Sequence, residues 1–130
     1  NDTDGVRIFC GLAAILGHNF PVWAGFKGGK GVGTAAGVLF SMLPLESGIA
    51  LLSFVIVVSI TRYISLGSMI AAVVLVITLI IEKFYFSAHI SNILLGVCVF
   101  ICIFVIIAHR SNIRRLIAGT ENKIGKRIEL

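Results

Sequence analysis

Two lysines stand among glycines in Lys27-Gly28-Gly29-Lys30-Gly31-Val32-Gly33-Thr34, and an apolar segment follows at once. Glycine lets a backbone take positive φ and approach a ligand closely. Successive N–H groups in such a loop can form a nest for an anion. A helix starting near Val32 would point its positive dipole end at the same spot. The chemistry this predicts is phosphate binding. The alternative is a flexible basic connector between two spans. A nucleotide P-loop does not fit: that pattern needs G-x-x-x-x-G-K followed by Ser or Thr, after a strand. Here Gly25 is one residue too close to Gly29-Lys30, and Gly31 takes the hydroxyl position.

A second cluster is His109-Arg110-Ser111-Asn112-Ile113-Arg114-Arg115-Leu116. On a helix His109 and Asn112 share a face at i,i+3, and Arg115 continues it. Together they offer donors for a sugar-like hydroxyl and a phosphate. Glu121 downstream can hold a lysine or arginine in place, or accept from a substrate hydroxyl. An ordinary basic membrane flank would explain Arg110, Arg114, Lys123, Lys126 and Arg127. For His109 and Asn112 both readings stay open. A third polar group, Gly17-His18-Asn19, is read from the residues alone as a helix end. His89 and Asn92 read as interfacial bystanders. Ser53, Ser59, Ser65 and Ser68 read as hydroxyls that bond to their own helix carbonyls.

The elements that position these groups are membrane helices. Of 130 residues 58% are hydrophobic and only 13% charged, and mean hydropathy is +1.05. A soluble domain carries about twice that charge. The predicted fold class is an all-α integral membrane bundle, polytopic, with about five hydrophobic segments, some short or broken, and a C-terminal interfacial helix. Residues 6–26 are apolar until Gly17-His18-Asn19 and Pro21 interrupt them. Residues 32–43 and 48–61 each fall short of the roughly 17–25 residues of a full crossing, so they cross briefly or form a re-entrant hairpin. Residues 64–81, closed by Glu82-Lys83, and 90–108, closed by His109-Arg110, are convincing spans. In the tail, Ile113, Leu116 and Ile117 predict a short amphipathic helix stopping at Gly119. The whole is one membrane domain.

Charge gives orientation. With the glycine loop on one side, Lys27, Lys30, Arg62, Arg110, Arg114, Arg115, Lys123, Lys126 and Arg127 fall there, nine of the eleven Lys and Arg. Arg7 and Lys83 fall opposite. The positive-inside rule makes the first side cytoplasmic. The loop and the tail then share a face. The net charge of +5 belongs to a membrane surface, and no nucleic-acid motif accompanies it. The three cysteines, Cys10, Cys98 and Cys102, show no zinc spacing and sit in apolar runs. No metal site and no cofactor are expected.

The motifs resemble one family. Gly17-His18-Asn19-Phe20-Pro21-Val22, then Phe26-Lys27-Gly28-Gly29-Lys30-Gly31-Val32-Gly33-Thr34-Ala35-Ala36-Gly37, resembles the central region of the bacterial membrane glycerol-3-phosphate acyltransferases of the PlsY type. The segment from His109 to Leu116, with Gly119 and Glu121, resembles that family's last signature. The resemblance implies an enzyme of about seven helices in the bacterial plasma membrane. It would transfer an acyl chain from acyl phosphate to the 1-hydroxyl of sn-glycerol 3-phosphate, giving lysophosphatidic acid for phospholipid synthesis. It implies Lys30, His109 and Asn112 as catalytic. It implies substrate contacts from Lys27, Gly28, Gly29, Gly31, Val32, Gly33, Thr34, His18, Arg115 and Glu121. Many relatives carry alanine at Gly33.

The family's earlier signature, a Gly/Ser/Asn-rich loop followed by an arginine, has no match here. The expectation is therefore the C-terminal portion of a longer enzyme, inactive without its upstream part. A small transporter subunit for a phosphorylated solute, with broken helices around an anion site, is the alternative. A structural subunit binding lipid headgroups is a third reading.

Overall fold

Proline at the start of a helix gives up an N–H that has no partner there anyway, and its fixed φ suits the helix. Pro44 does this in the computed structural model, which describes residues 2–19 and 32–125. Six helices lie among the described residues: α1 (Asp2–Asn19), α2 (Val32–Met42), α3 (Pro44–Thr61), α4 (Ile64–Tyr85), α5 (Asn92–Ala108) and α6 (Arg110–Ala118). The all-helical expectation holds for them. The segment expected at 48–61 is longer than its apolar run: Pro44 opens it and Glu46 occupies its first turn. An acidic residue there is favoured by the helix dipole. Pro44-Leu45-Glu46-Ser47 is thus a helix start and not a turn outside one. With 18 residues, α3 reaches crossing length, as does α4 with 22. α4 likewise runs past Glu82-Lys83 to Tyr85. There Lys83 donates to the Ile90 carbonyl.

The 11 residues of α2 rise only about 16 Å, too little to cross. Leu43, at φ −136°, is the joint between α2 and α3. Its N–H bonds the Leu39 carbonyl at 2.7 Å, and its own carbonyl accepts from Ser47 N–H at 2.9 Å. The joint therefore leaves neither group of Leu43 unpaired, as a low-dielectric setting demands. α5 starts two residues later than the apolar run, because the Ser91 hydroxyl caps it by accepting from Leu94 N–H at 3.1 Å.

Helices adjacent in sequence pack together, α3 on α4 most extensively. Glu46, at the start of α3, lies beside Glu82 near the end of α4, so the two run antiparallel. The buried core is Leu43, Ala50, Leu75, Leu79 and Cys98, with Leu39, Met42 and Leu95 against it. Outward, Ile60, Ile93 and Phe100 are exposed, as a lipid-facing surface requires.

The two ends of the bundle differ. One holds Glu46, Glu82, Lys83 and Ser91. The other holds the Arg62–Tyr63 turn, His109 and the tail, since Ile124 N–H bonds the Arg62 carbonyl at 2.9 Å. The tail residues Arg110, Arg114, Arg115 and Lys123 thus gather with Arg62 at one end and Lys83 lies at the other, as charge had sorted them. Lys27, Lys30, Lys126 and Arg127 lie outside the described residues.

Gly67 sets the closeness of α3 and α4. A Cβ added there would lie 2.6 Å from Val58 Cγ2 and 2.9 Å from Phe54 Cδ2. Small residues allow such approach between membrane helices. Gly67→Val is expected to destabilise the folded protein by about 1–3 kcal/mol, the usual cost of overpacking. Gly96→Ala, where nothing lies within 4 Å, should not. Thermal unfolding of both variants in detergent checks this.

Candidate active site

The polar end is built by the way α5 stops. His109 follows Ala108, and its N–H bonds back to Val105 and Ile106 carbonyls at 3.0 and 3.1 Å. Its ring Nδ1 lies 2.7 Å from the same Val105 carbonyl. A carbonyl only accepts, so Nδ1 carries the hydrogen. In the neutral ring Nε2 is then an acceptor. At His109 the helix bends, α6 leaving α5 at 52°. The bend turns Asn112 inward, where it is buried like His109. The predicted shared face of His109 and Asn112 is present, although the helix that carries Asn112 begins only at Arg110.

Gly119 ends α6 with φ +74°, the conformation for which glycine is suited. Thr120 N–H then bonds the Arg115 carbonyl at 2.8 Å, and the chain turns back. This return brings Glu121 into the interior. Its Oε1 accepts from Asn122 N–H at 3.1 Å and lies 3.5 Å from Arg115 Nε. The Asn112 side chain also hydrogen-bonds this carboxylate. Burial pushes the carboxyl up, but the Asn122 N–H, the Arg115 charge and the Asn112 and Arg115 side chains outweigh it. They hold Glu121 below the ordinary value of 4.5. Arg115 thus reaches the same carboxylate as Asn112, and Glu121 holds an arginine in place as expected.

Two cavities meet here. A polar one of about 350 Å³ is lined by Ser65, Asn112, Glu121, Asn122 and others. An apolar one of about 480 Å³ runs among α2, α3, α4 and α5, past Phe40, Ala50, Leu75 and Cys102. His109 and Ile64 line both. Of the sequence-predicted residues, the fold thus joins His109, Asn112 and Glu121. Val32, Gly33 and Thr34 form the first turn of α2. His18 lies in the last turn of α1. Lys27, Gly28, Gly29, Lys30 and Gly31 lie outside the described residues.

Ser65 was missed. Ser53 and Ser68 do bond to their own helix carbonyls, at 2.7 and 3.1 Å. Ser65 is buried and its Oγ has no partner among the described residues. The signal was available: Ser65 is the second residue of α4, so no α4 carbonyl lies four residues before it. Glu121 Oε2 is buried and unpartnered among them as well.

The family model for glycerol-3-phosphate acyltransferase matches residues 4–119. The chain belongs to the glycerol-3-phosphate acyltransferase family. It is 43% identical over 117 residues to the glycerol-3-phosphate acyltransferase of Salinibacter ruber, a match covering 90% of this chain and 51% of that one. It is 47% identical over 118 residues to that of Trichlorobacter lovleyi, covering 91% and 58%. Among solved structures it is similar to PlsY (YgiH), an integral membrane glycerol 3-phosphate acyltransferase, in its glycerol 3-phosphate form. The TM-score is 0.78 at 37% identity, over 91% of this chain and 56% of that one. The lysophosphatidic acid form of PlsY matches equally, over 57% of that chain. The chain thus spans about half the length of the curated relatives it matches. Both motifs that carried the resemblance fall within the matched residues, up to Gly119, and the chain is a membrane-embedded member of this acyltransferase family.

The Glu121 cluster makes a pH-dependent contribution in this acyltransferase-family chain. A carboxyl held low in the folded state stabilises it fully above the unfolded value of 4.5, and the gain is lost as pH falls through the folded value. Wild type should therefore unfold at a higher temperature than Glu121→Gln at neutral pH. The difference should shrink below about pH 4.5. Melting curves of the two proteins from neutral pH down to about pH 3 test it.

Proposed function

We propose that this chain carries the reacting face of an acyl-phosphate:glycerol-3-phosphate acyltransferase of the bacterial plasma membrane. The observation that carries the proposal is the meeting of the apolar and polar cavities at His109. An acyl chain and a polar acceptor need such a junction, one side for hydrocarbon and one for hydroxyls and phosphate. The PlsY structures named above, one with glycerol 3-phosphate and one with lysophosphatidic acid, support the same substrate and product here. The activity belongs to the whole enzyme, together with the further length that the relatives carry. The positive-inside rule supports placing the Arg62 and tail end on the cytoplasmic side.

In this reading the acyl phosphate lays its chain in the apolar cavity and its phosphate in the Gly28–Gly31 loop. N–H groups of Gly29, Gly31 and Val32 and the charge of Lys30 hold it, with Lys27 near and Thr34 adding a hydroxyl. What supports the loop's role is the start of α2 at Val32, a helix N-terminus directly after the glycines. Glycerol 3-phosphate occupies the polar cavity against Asn112, Ser65 and Glu121. Its 1-hydroxyl donates to His109 Nε2, which aims the oxygen at the acyl carbon. The new C–O ester bond forms, the acyl–phosphate C–O bond breaks, and the electron pair leaves on inorganic phosphate. Charge neutralisation at the loop stabilises that leaving group. The hydroxyl proton ends on the departing phosphate.

The experiment uses membranes bearing the full reading frame that contains this chain. They are given labelled glycerol 3-phosphate with palmitoyl phosphate or with palmitoyl-CoA. Lysophosphatidic acid should form from the phosphate donor alone. Lys30→Ala should lower kcat/KM by about 100-fold or more, the scale of removing a charge that stabilises a transition state. His109→Gln keeps an acceptor and should retain turnover with an unshifted pH profile. No product from either donor in a folded protein would reject the proposal. Solute flux without acyl transfer would favour a transporter.

A further inference from the structure

Arg62 caps α3 in the left-handed conformation, φ 64° and ψ 15°. Only Arg62 and Ser87 among the described non-glycine residues have positive φ. Glycine or asparagine fits such a cap with less strain. A strained residue of this kind points toward a use for its side chain. The guanidinium supplies one: Arg62 Nη2 donates to the Ile124 carbonyl. In return Ile124 N–H donates to the Arg62 carbonyl at 2.9 Å. The guanidinium also packs on Gly125, φ +78°, where a Cβ would lie 2.6 Å from Nη2. Next to this pair, the Lys123 ammonium stands 5.4 Å from the Tyr63 ring centre, within cation–π range. At the other end of the same short strap, Glu121 is tied to Arg115 and Asn112.

The strap is also a wall of the polar cavity. Glu121, Asn122, Lys123 and Ile124 line it from one side, Ile64, Ser65, His109 and Asn112 from the other. The ties at Glu121 come from α6 itself. The ties at Lys123 and Ile124 come from the α3–α4 turn, 62 residues away in sequence for the Arg62–Ile124 bond. They fix the distance between the strap and the α4 start that carries Ser65.

We propose that Arg62 is a positioning residue: it latches residues 121–124 to the α3–α4 turn and so holds the polar cavity at the width the acceptor needs. This rests on the acyltransferase reading above. The latch acts on the polar substrate and not on the acyl chain, because the apolar cavity is lined by none of the strap residues.

The test uses the full-length enzyme. Arg62→Gly keeps the positive φ and the Ile124 N–H bond but removes the guanidinium. Arg62→Gln removes the charge but keeps a donor that can reach the strap. The expected result for Arg62→Gly is a KM for glycerol 3-phosphate raised about tenfold, the size of one lost charge-assisted hydrogen bond. The KM for acyl phosphate and kcat should change little, and Arg62→Gln should recover much of the loss. Trypsin cleavage after Lys123, followed by mass spectrometry, should be faster in Arg62→Gly and intermediate in Arg62→Gln. Wild-type kinetics and cleavage in Arg62→Gly would overturn the latch. So would equal losses in both variants with unchanged cleavage, which would make Arg62 a direct anion contact. Cleavage needs no turnover. A wild-type protein that makes no product would therefore count against the acyltransferase reading, and the cleavage rates would still decide the latch.

Discussion

The polar end depends on how α5 stops. A helix that leaves a bilayer has carbonyls at its last turn that need partners. Here the backbone N–H and the ring of one residue, His109, both turn back to them, with Val105 taking a bond from each. That arrangement closes α5, fixes the ring tautomer and releases the chain at a 52° bend. Asn112, Gly119 and Glu121 then follow at the places the bend dictates. Had α5 run straight on, Asn112 would point along the extension of a membrane helix and Glu121 would have no interior to enter.

The packing below this end is simple by comparison. Helices consecutive in sequence lie against each other, and Gly67 lets α3 and α4 come close. Such neighbours need no long-range information to find one another. The turn between them is where long-range contacts begin, because Arg62 meets Ile124. The junction of the two cavities at His109 and Ile64 follows from that geometry: Ile64 opens α4 just after the turn, and His109 closes α5 beside it.

How legible each part was follows from the range of the interactions. The apolar run 64–81 showed α4 as a span, and Gly119 showed the end of α6, since both are local signals. The i,i+3 spacing of His109 and Asn112 was local too. Pro44-Leu45-Glu46-Ser47 misled because proline and charge mark a break or a helix start equally well, and only the packing of Glu46 against Glu82 decides. That Glu121 could hold a lysine or arginine was legible in residue chemistry, but which one it holds depends on the return of the chain after Gly119, which sets it against Arg115. Ser65 lay hidden among serines of similar look. Its difference is its place in the first turn, which denies it the carbonyl that Ser68 finds at Ile64. The glycine loop, the most distinctive stretch of the sequence, falls outside the described residues, so its role rests on residue chemistry and on the helix start at Val32.

Energetics single out the cavity beside His109. A buried polar group without a partner costs roughly 1–3 kcal/mol, and folded proteins keep few of them. Ser65 Oγ and Glu121 Oε2 are both buried and unpartnered among the described residues, and both belong to residues lining this one cavity. Beside them His109 commits Nδ1 to a carbonyl, which makes Nε2 the acceptor of the neutral ring. A hydroxyl that can donate or accept, a carboxylate oxygen and a ring acceptor are the kinds of group that the glycerol 3-phosphate of the proposed reaction would need. The apolar cavity carries no such groups except at its rim, where His109 stands, and at Ser47 near the far end. The proposed reaction uses this division, with hydrocarbon on the α2–α5 side, hydroxyls on the tail side, and His109 at the boundary between them.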